Sequence, residues 1–363
     1  MSSERETAKT QFLADAGYAD AARFMLPSDA STRRYERLTL PDGSTLMLMD
    51  AAPVMESPPC DPAWSAEQRI ASGWNATARL AASRVDAFAA VARHLRSLDL
   101  SAPAVHALDG ANGLAVIEDF GDNAFARLME QGADERELYF AAIDALAALH
   151  AKTPPGPNRI SGGSWPLLTY DAVALKAGAD LFVDWMPKLK PELSFDGEAR
   201  TAWDGLWSDI AARGETGAAV MAHRDYHAEN LIWLKDRSGA ARVGMIDFQD
   251  AVLAHPSWDL HSLLQDARRD VSSELEAEAL DRYFGHRPEL DRGAFMADYA
   301  ALAALNEARI LGIFARLVFR DSKPRYLTFM PRMWAHLERN LQNPALAGLR
   351  AWFDRHVPKG SRT

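Results

Sequence analysis

Two polar motifs separated by a short hairpin constrain this 363-residue chain more than any other feature. The first reads His223-Arg224-Asp225-Tyr226-His227-Ala228-Glu229-Asn230, and the second Met245-Ile246-Asp247-Phe248-Gln249-Asp250. Between them the apolar runs Leu231 to Leu234 and Val243 to Ile246 bracket Lys235-Asp236-Arg237-Ser238-Gly239-Ala240, a hairpin pattern. A hairpin returns its two ends to one place, so Asn230 and Asp247 become neighbours despite their separation in sequence. Phosphoryl transfer asks little more of a protein than a group that orients and deprotonates the acceptor hydroxyl and oxygen ligands that hold Mg2+ on the nucleotide phosphates. Asp225 is the candidate base, and Asn230 with Asp247 the candidate metal ligands. A competing pattern is the alternation of His223, Asp225 and His227, which would share one face of an extended segment as ligands of a hydrolytic metal site. That pattern leaves Asn230, the hairpin and Asp247 without a role.

The surrounding segments predict one sheet-bearing lobe followed by one helical lobe. Tyr35 to Leu40 and Thr45 to Asp50 flank Pro41-Asp42-Gly43-Ser44, a second hairpin signal, so the front of the chain is expected to begin as antiparallel sheet. Apolar residues recur with helical spacing from Arg84 to Leu98, and Ser101-Ala102-Pro103 closes that segment. Leu114 to Ile117 reads as a strand leading into Glu118-Asp119-Phe120-Gly121. Helices are expected at 135–152 and within 172–189, 198–212 and 295–319. The stretches 57–62 and 153–157, rich in proline, read as loops.

The paired motifs resemble the catalytic and metal-binding segments of the protein-kinase-like superfamily, in its aminoglycoside and choline phosphotransferase branch. The resemblance implies an α+β, two-lobed fold with a small antiparallel-sheet N-lobe (1–117), a hinge (118–122) and a larger, mainly helical C-lobe (123–363). It implies ATP as co-substrate and Mg2+ as cofactor, with Asp225 taking the acceptor proton, Asn230 and Asp247 on the metal, and Glu118 and Phe120 of the hinge at the nucleotide. By the same resemblance His223 is a structural tie and Asp259 a brace under the catalytic loop. Only a short run separates Asp247 from a helix expected near Trp258, which leaves no room for a phosphorylated activation loop that Arg224 could read.

Several residues depart from that pattern. There is no G-x-x-x-x-G-K-[ST] and no kinase Gly-rich loop. The strand expected to carry a phosphate-binding lysine reads Leu46-Met47-Leu48-Met49-Asp50, and the helix after Arg84 holds no glutamate to pair with one. A polyphosphate still needs positive charge, so Arg33 or Arg34, with Ser31, is expected to supply it; a guanidinium suits phosphate through its planar donor fork. The run Asp29 to Tyr35, the following Leu48-Met49-Asp50-Ala51 and the segment Leu311 to Leu327 are similar to a narrower group, the bacterial anomeric kinases of N-acetylmuramate and N-acetylglucosamine in cell-wall recycling. Ser28, where a glycine is expected, and the insertion Val54 to Ser65 depart from that group. His227, Glu229, Arg309 and Arg325 are the candidate sugar-binding residues; the last two belong to a basic cluster with Arg320 and Lys323 that would attract a lactyl carboxylate and repel a cationic aminoglycoside. A choline, homoserine or aminoglycoside kinase is the alternative, and a nucleotide-binding pseudokinase a further one.

Composition narrows the partners. A formal net charge of −10 disfavours nucleic acid and anionic membranes, and no obligate protein partner is indicated. The polar start MSSERETAKT, the lack of any long apolar run and a single cysteine, Cys60, point to the cytoplasm.

Overall fold

A computed structural model describes residues 3–27, 33–52, 58–81, 84–155 and 165–363. In chain order the N-terminal elements are α1 (Ser3–Asp15), β1 (Ala22–Met25), β2 (Arg34–Thr39), β3 (Thr45–Asp50), α2 (Ala66–Ser72) and α3 (Val85–Ser97). Then come β4 (Val105–Asp109), β5 (Leu114–Glu118), α4 (Phe125–Glu130), α5 (Glu135–His150), α6 (Ala172–Leu189), α7 (Gly197–Thr216) and β6 (Val220–Ala222). The remainder is β7 (Leu231–Trp233), β8 (Val243–Met245), β9 (Val252–Ala254), α8 (Ser257–Leu264), α9 (Ser273–His286), α10 (Arg292–Phe319), α11 (Met330–Asn340) and α12 (Ala347–His356). These pack as two compact units, Met1–Leu168 with Ala228–Ala251, and Thr169–His227 with Val252–Thr363.

The first unit is built on an antiparallel sheet of order β1-β2-β3-β5-β4. Its β2–β3 turn follows the predicted chemistry: Gly43 sits at φ +85, and Asp42 Oδ1 accepts from the Ser44 N–H (2.9 Å) and hydroxyl (2.6 Å). The register sets Tyr35 opposite Met49 and Arg37 opposite Met47, so the alternate residues Glu36, Leu38, Leu48 and Asp50 share the other face. On that face Leu38, Leu48, Leu114 and Val116 form a core with Phe12 and Leu13 of α1. The front of the chain therefore begins with a helix and not with sheet. The helix escapes a reading by periodicity because charge fixes it as much as apolar burial does. Lys9, with no exposed surface, lies 2.6 Å from Glu36 and also pairs with Glu6, while Arg23 bridges Glu36 (2.7 Å) and Glu6 (3.0 Å). A buried ammonium persists only when it is paired in this way.

The β7–β8 hairpin belongs to the first unit and pairs Leu231 with Met245 and Trp233 with Val243. It is tied to the chain after α3 by the Met245 N–H donating to the Ser101 carbonyl (2.8 Å), and Phe88 of α3 stacks on Phe248 with ring centroids 4.7 Å apart.

In the second unit α6 runs against α10. At their crossing is Gly312, where a Cβ would lie 2.3 Å from the Leu181 carbonyl carbon, so the close approach requires glycine. Phe182 packs on Trp203, Trp334 and Phe353, with centroids 5.5, 5.6 and 5.4 Å away; each such side chain contributes roughly 2–3 kcal/mol by burial. β6 and β9 pair antiparallel, Ala222 opposite Val252. Among the described residues no helix is long and apolar enough to cross a membrane.

Candidate active site

Within the first unit the hairpin acts on its flanks as the motif spacing requires. Asn230 ends a short 3-10 turn, Ala228–Asn230, and its carbonyl accepts the Ile246 N–H at 3.1 Å, which brings Asp247 beside it. Asp247 takes a left-handed backbone (φ +64), which aspartate tolerates better than most residues. Its side chain is 36% exposed, and its Oδ1 lies 2.6 Å from Nη2 of Arg33. Arg33 is only 5% exposed, and its Nη1 donates to Gln249 Oε1 (2.5 Å); Gln249 Nε2 in turn reaches Asp247 Oδ1 (3.2 Å). Burial works against the charge on Arg33, but Asp247, with Tyr35 and Asp250, outweighs it and keeps the guanidinium protonated. Arg79, at the end of a π-helical turn (Asn75–Arg79), contacts Asp250 at 3.2 Å.

Of the two arginines expected near phosphate, then, Arg33 is buried against Asp247 while Arg34 is exposed, opposite Asp50 on β2. Ser31 lies outside the described residues. Glu118 accepts from Arg237 Nη2 (2.5 Å) and from the Ala104 N–H (3.0 Å). The Phe120 ring sits under the Arg237 guanidinium at 5.1 Å and against Gly244, where a Cβ would lie 2.8 Å from it. Arg37 clamps the same segment to β2 through Asp119 (2.7 Å) and Asp122 (2.9 Å).

The amide of Asn230 and the half-exposed carboxylate of Asp247 are hard oxygen donors, few in number, as suits Mg2+, which keeps water and substrate phosphates as its other ligands. Among the described residues no three His, Cys, Asp or Glu side chains gather as a metal cage, so His223, Asp225 and His227 do not form the alternative hydrolytic centre.

In the second unit β6 delivers His223-Arg224-Asp225 onto α8. Asp259, in the first turn of α8, accepts the backbone N–H of His223 (2.6 Å) and of Arg224 (2.8 Å), and Trp258 Nε1 donates to the Arg224 carbonyl (3.3 Å). The loop is held bent, with Arg224 at φ +79 and its guanidinium 4.8 Å from the Tyr170 ring. Burial pushes the Asp259 carboxyl up to about 7; the two N–H donors oppose this, and the nearby charge of Asp225 adds to it. Asp225 behaves differently. Burial raises its carboxyl as well, but Arg224, Arg309, His227 and His223 outweigh that and hold it below the usual carboxylate range.

Asp225 opens onto a cavity of about 150 Å3 whose lining includes Arg224, His227, Asp266, Asn306 and Arg309, with Ile310, Ile313 and Phe314 as the apolar wall. Arg309 donates to Asn306 Oδ1 (2.8 Å), and its stem runs over Gly178, where a Cβ would approach to 3.1 Å. Of the expected sugar-binding residues, His227 and Arg309 meet Asp225 in this cavity. Arg325 does not line it: it lies on Tyr326, 5.0 Å from the ring, and its Nη2 donates to the phenol oxygen at 3.1 Å. Glu229 is exposed and belongs to the first unit. Arg320 pairs with its neighbour Asp321 at 2.6 Å.

Sequence reasoning weighed Arg224 only as the reader of an activation loop, and passed over Asn306, Gln249 and Arg79. Asn306 carried a usable signal, three residues before Arg309 on one helical face. Arg79 carried none, because a π-helical turn has no clear sequence signature, although such turns gather at functional sites.

Comparison with known proteins identifies the family and the fold. Residues 25–305 match the phosphotransferase enzyme family known as APH. An N-acetylmuramate/N-acetylglucosamine kinase of Caulobacter vibrioides is 58% identical over 362 residues, covering 100% of this chain and 99% of the relative. A protein of the same description from Pseudomonas putida is 28% identical over 334 residues, 89% of this chain and 84% of that one. Among solved structures, a choline/ethanolamine kinase family protein from Mesorhizobium loti superposes with a TM-score of 0.57 at 15% identity, covering 96% of this chain and 98% of the other. The choline kinase LicA of Streptococcus pneumoniae gives 0.55 at 13%, covering 95% and 99%. At those identities the structures speak for the fold.

Proposed function

We propose, from the premise that this chain belongs to the APH phosphotransferase enzyme family, that it is a small-molecule kinase moving the terminal phosphoryl group of ATP to the anomeric hydroxyl of N-acetylmuramate and N-acetylglucosamine, as cell-wall recycling requires. The observation that carries the choice of sugar is the whole-length relationship to the Caulobacter kinase.

In this reading Asp225 is the base. The sugar oxygen attacks the γ-phosphorus, the bond from that phosphorus to the bridging oxygen of ADP breaks, and the hydroxyl proton passes to Asp225. A carboxylate held below its usual range is a weak base, yet a hemiacetal hydroxyl is more acidic than an ordinary alcohol and asks less of it. Asn230 and Asp247 would hold Mg2+, which would supply neutralisation of phosphate charge. Arg33, rather than Arg34, supplies the side-chain cation for the polyphosphate in place of the absent lysine, and Ser31 remains a candidate phosphate ligand from the sequence. The segment 118–122, including Glu118 and Phe120, serves as the hinge at the adenine between the nucleotide lobe (1–117) and the acceptor lobe (123–363). His227 meets sugar hydroxyls and Arg309 the lactyl carboxylate, while His223 and Asp259 support the loop. Glu229 and Arg325, outside the cavity, are left out of the acceptor site.

The test is ADP release with Mg2+ and ATP across N-acetylmuramate, N-acetylglucosamine, choline, homoserine and aminoglycosides, with phosphorus NMR on the product. Turnover of the two amino sugars to a C1 phosphate is expected. A phosphate at C6, or turnover confined to choline, homoserine or an aminoglycoside, would overturn the assignment.

A further inference from the structure

Arg33 already occupies the carboxylate that would hold the metal ion in the reading above. Arg33 Nη2 stands 2.6 Å from Asp247 Oδ1, and Gln249 closes a triangle around the pair, accepting from Arg33 Nη1 (2.5 Å) and reaching Asp247 Oδ1 (3.2 Å). Gln249 is 1% exposed and Arg33 5%, so the contact is built into the interior of the first unit and is not a chance surface pair. Asp250 adds to the field at Arg33 but makes its own close contact with Arg79 at 3.2 Å, so the near carboxylate partner of Arg33 is Asp247.

We propose that Arg33 is a resident counter-cation that must leave Asp247 before Mg2+ can bind there, so that metal and nucleotide enter together and the metal does not bind first. The inference rests on the kinase reading above. Mg2+ needs its oxygen ligands at about 2.0–2.1 Å and sheds water reluctantly, so the bare ion competes poorly with a guanidinium already seated on the carboxylate. A nucleotide changes the balance, because its phosphates offer that guanidinium a bidentate, doubly charged partner as the metal takes over the carboxylate. Arg33 is thus a positioning residue that couples the two ligands, and a coupling of this kind is reciprocal.

Manganese titration followed by electron paramagnetic resonance tests this on the full chain without any turnover. Wild type is expected to bind free Mn2+ weakly and to gain at least about tenfold in affinity when ADP is present, a typical size for coupled sites. Arg33→Met should bind free Mn2+ about tenfold more tightly than wild type and lose most of the gain from ADP. Arg33→Gln, which keeps a polar partner for Gln249 while removing the charge, should do the same if the Met variant melts early. If both variants, folded by thermal melting, bind free Mn2+ no better than wild type, the counter-cation role is wrong. A wild-type chain that binds neither ADP nor Mn2+ with ADP would instead overturn the kinase reading itself.

Discussion

Arg33 and Arg309 are both guanidiniums close to a carboxylate proposed above for the reaction, yet of the two Arg33 is ion-paired and Arg309 is not. Arg33 sits on Asp247 itself, within 2.6 Å, and its second contact is to Gln249. Arg309 is fixed by a neutral amide, Asn306, and by the space over Gly178, with no ion pair to Asp or Glu among the described residues. A guanidinium already paired has little field left for a ligand and must be exchanged to act. One held by a neutral group keeps its full charge directed at whatever enters the cavity, and it also stabilises the ionised form of Asp225. The first unit stores its cation, and the second presents it.

The largest effect should come from Asp225, the proposed base, whose charge Arg309 helps to hold. Asp225→Asn removes the proton acceptor while keeping shape and hydrogen bonding, and kcat should fall by about 10²–10⁴-fold with ATP KM little changed. Turnover within a few-fold of wild type would break the comparison at its root, since the cations around Asp225 would then serve no base.

Next in size is the cation itself. Arg309→Met should lower kcat/KM for N-acetylmuramate by about 10–100-fold, the value of a charge-assisted hydrogen bond of ~1.5–3 kcal/mol, and should cost N-acetylglucosamine, which lacks the carboxylate, much less. With the neutral sugar a second sign is expected. Loss of Arg309 lets the Asp225 carboxyl rise towards its ordinary range, so the acid limb of kcat/KM moves to higher pH. Equal losses for both sugars with no movement of the limb would make Arg309 a structural residue.

Much of this was legible in the sequence where one local rule dominates. The β2–β3 and β7–β8 hairpins, α3, α5 and α6 lie within a residue or two of the segments their periodicity and turns predict. The relation of Asn230 to Asp247 followed from the hairpin alone. What stayed hidden depends on partners distant in sequence. α1 is held through Lys9, Glu36 and Arg23, and no window of its own residues reveals that. Arg33 and Arg34 are equivalent on paper; Arg33 lies just ahead of β2 and is buried through its contact with Asp247, a partner distant in sequence, while Arg34 is exposed at the strand end. Arg325 had the composition of an anion site but stacks on its own neighbour, Tyr326. Charge clustering in sequence finds cations without telling which face a cavity.

The smallest effect concerns a third carboxylate, one with no cation beside it. Asp259 lies under the same loop as Asp225 but receives only two backbone N–H donors, and burial carries it up to about 7 where Asp225 stays low. Since 7 lies above the unfolded value of 3.8, the folded chain holds a proton in that interval that the unfolded chain has lost. The resulting stabilisation is fully present below the unfolded value and declines as pH rises through 7. His261 acts in the opposite sense. Burial depresses it to about 3, so its contribution is present above 6.5 and is lost as pH falls towards 3. Asp259→Asn removes the first contribution and leaves the second. It also gives up one of the two N–H acceptors, at a cost of about 1 kcal/mol. Urea midpoints of wild type and Asp259→Asn should therefore differ most at the acid end, below about pH 4, wild type being the more stable, and the gap should narrow as pH rises and close by pH 8 as the buried charge forms. A gap that stayed constant between those pH values would mean that Asp259 is ionised throughout, and that two backbone donors do for it what the cations do for Asp225.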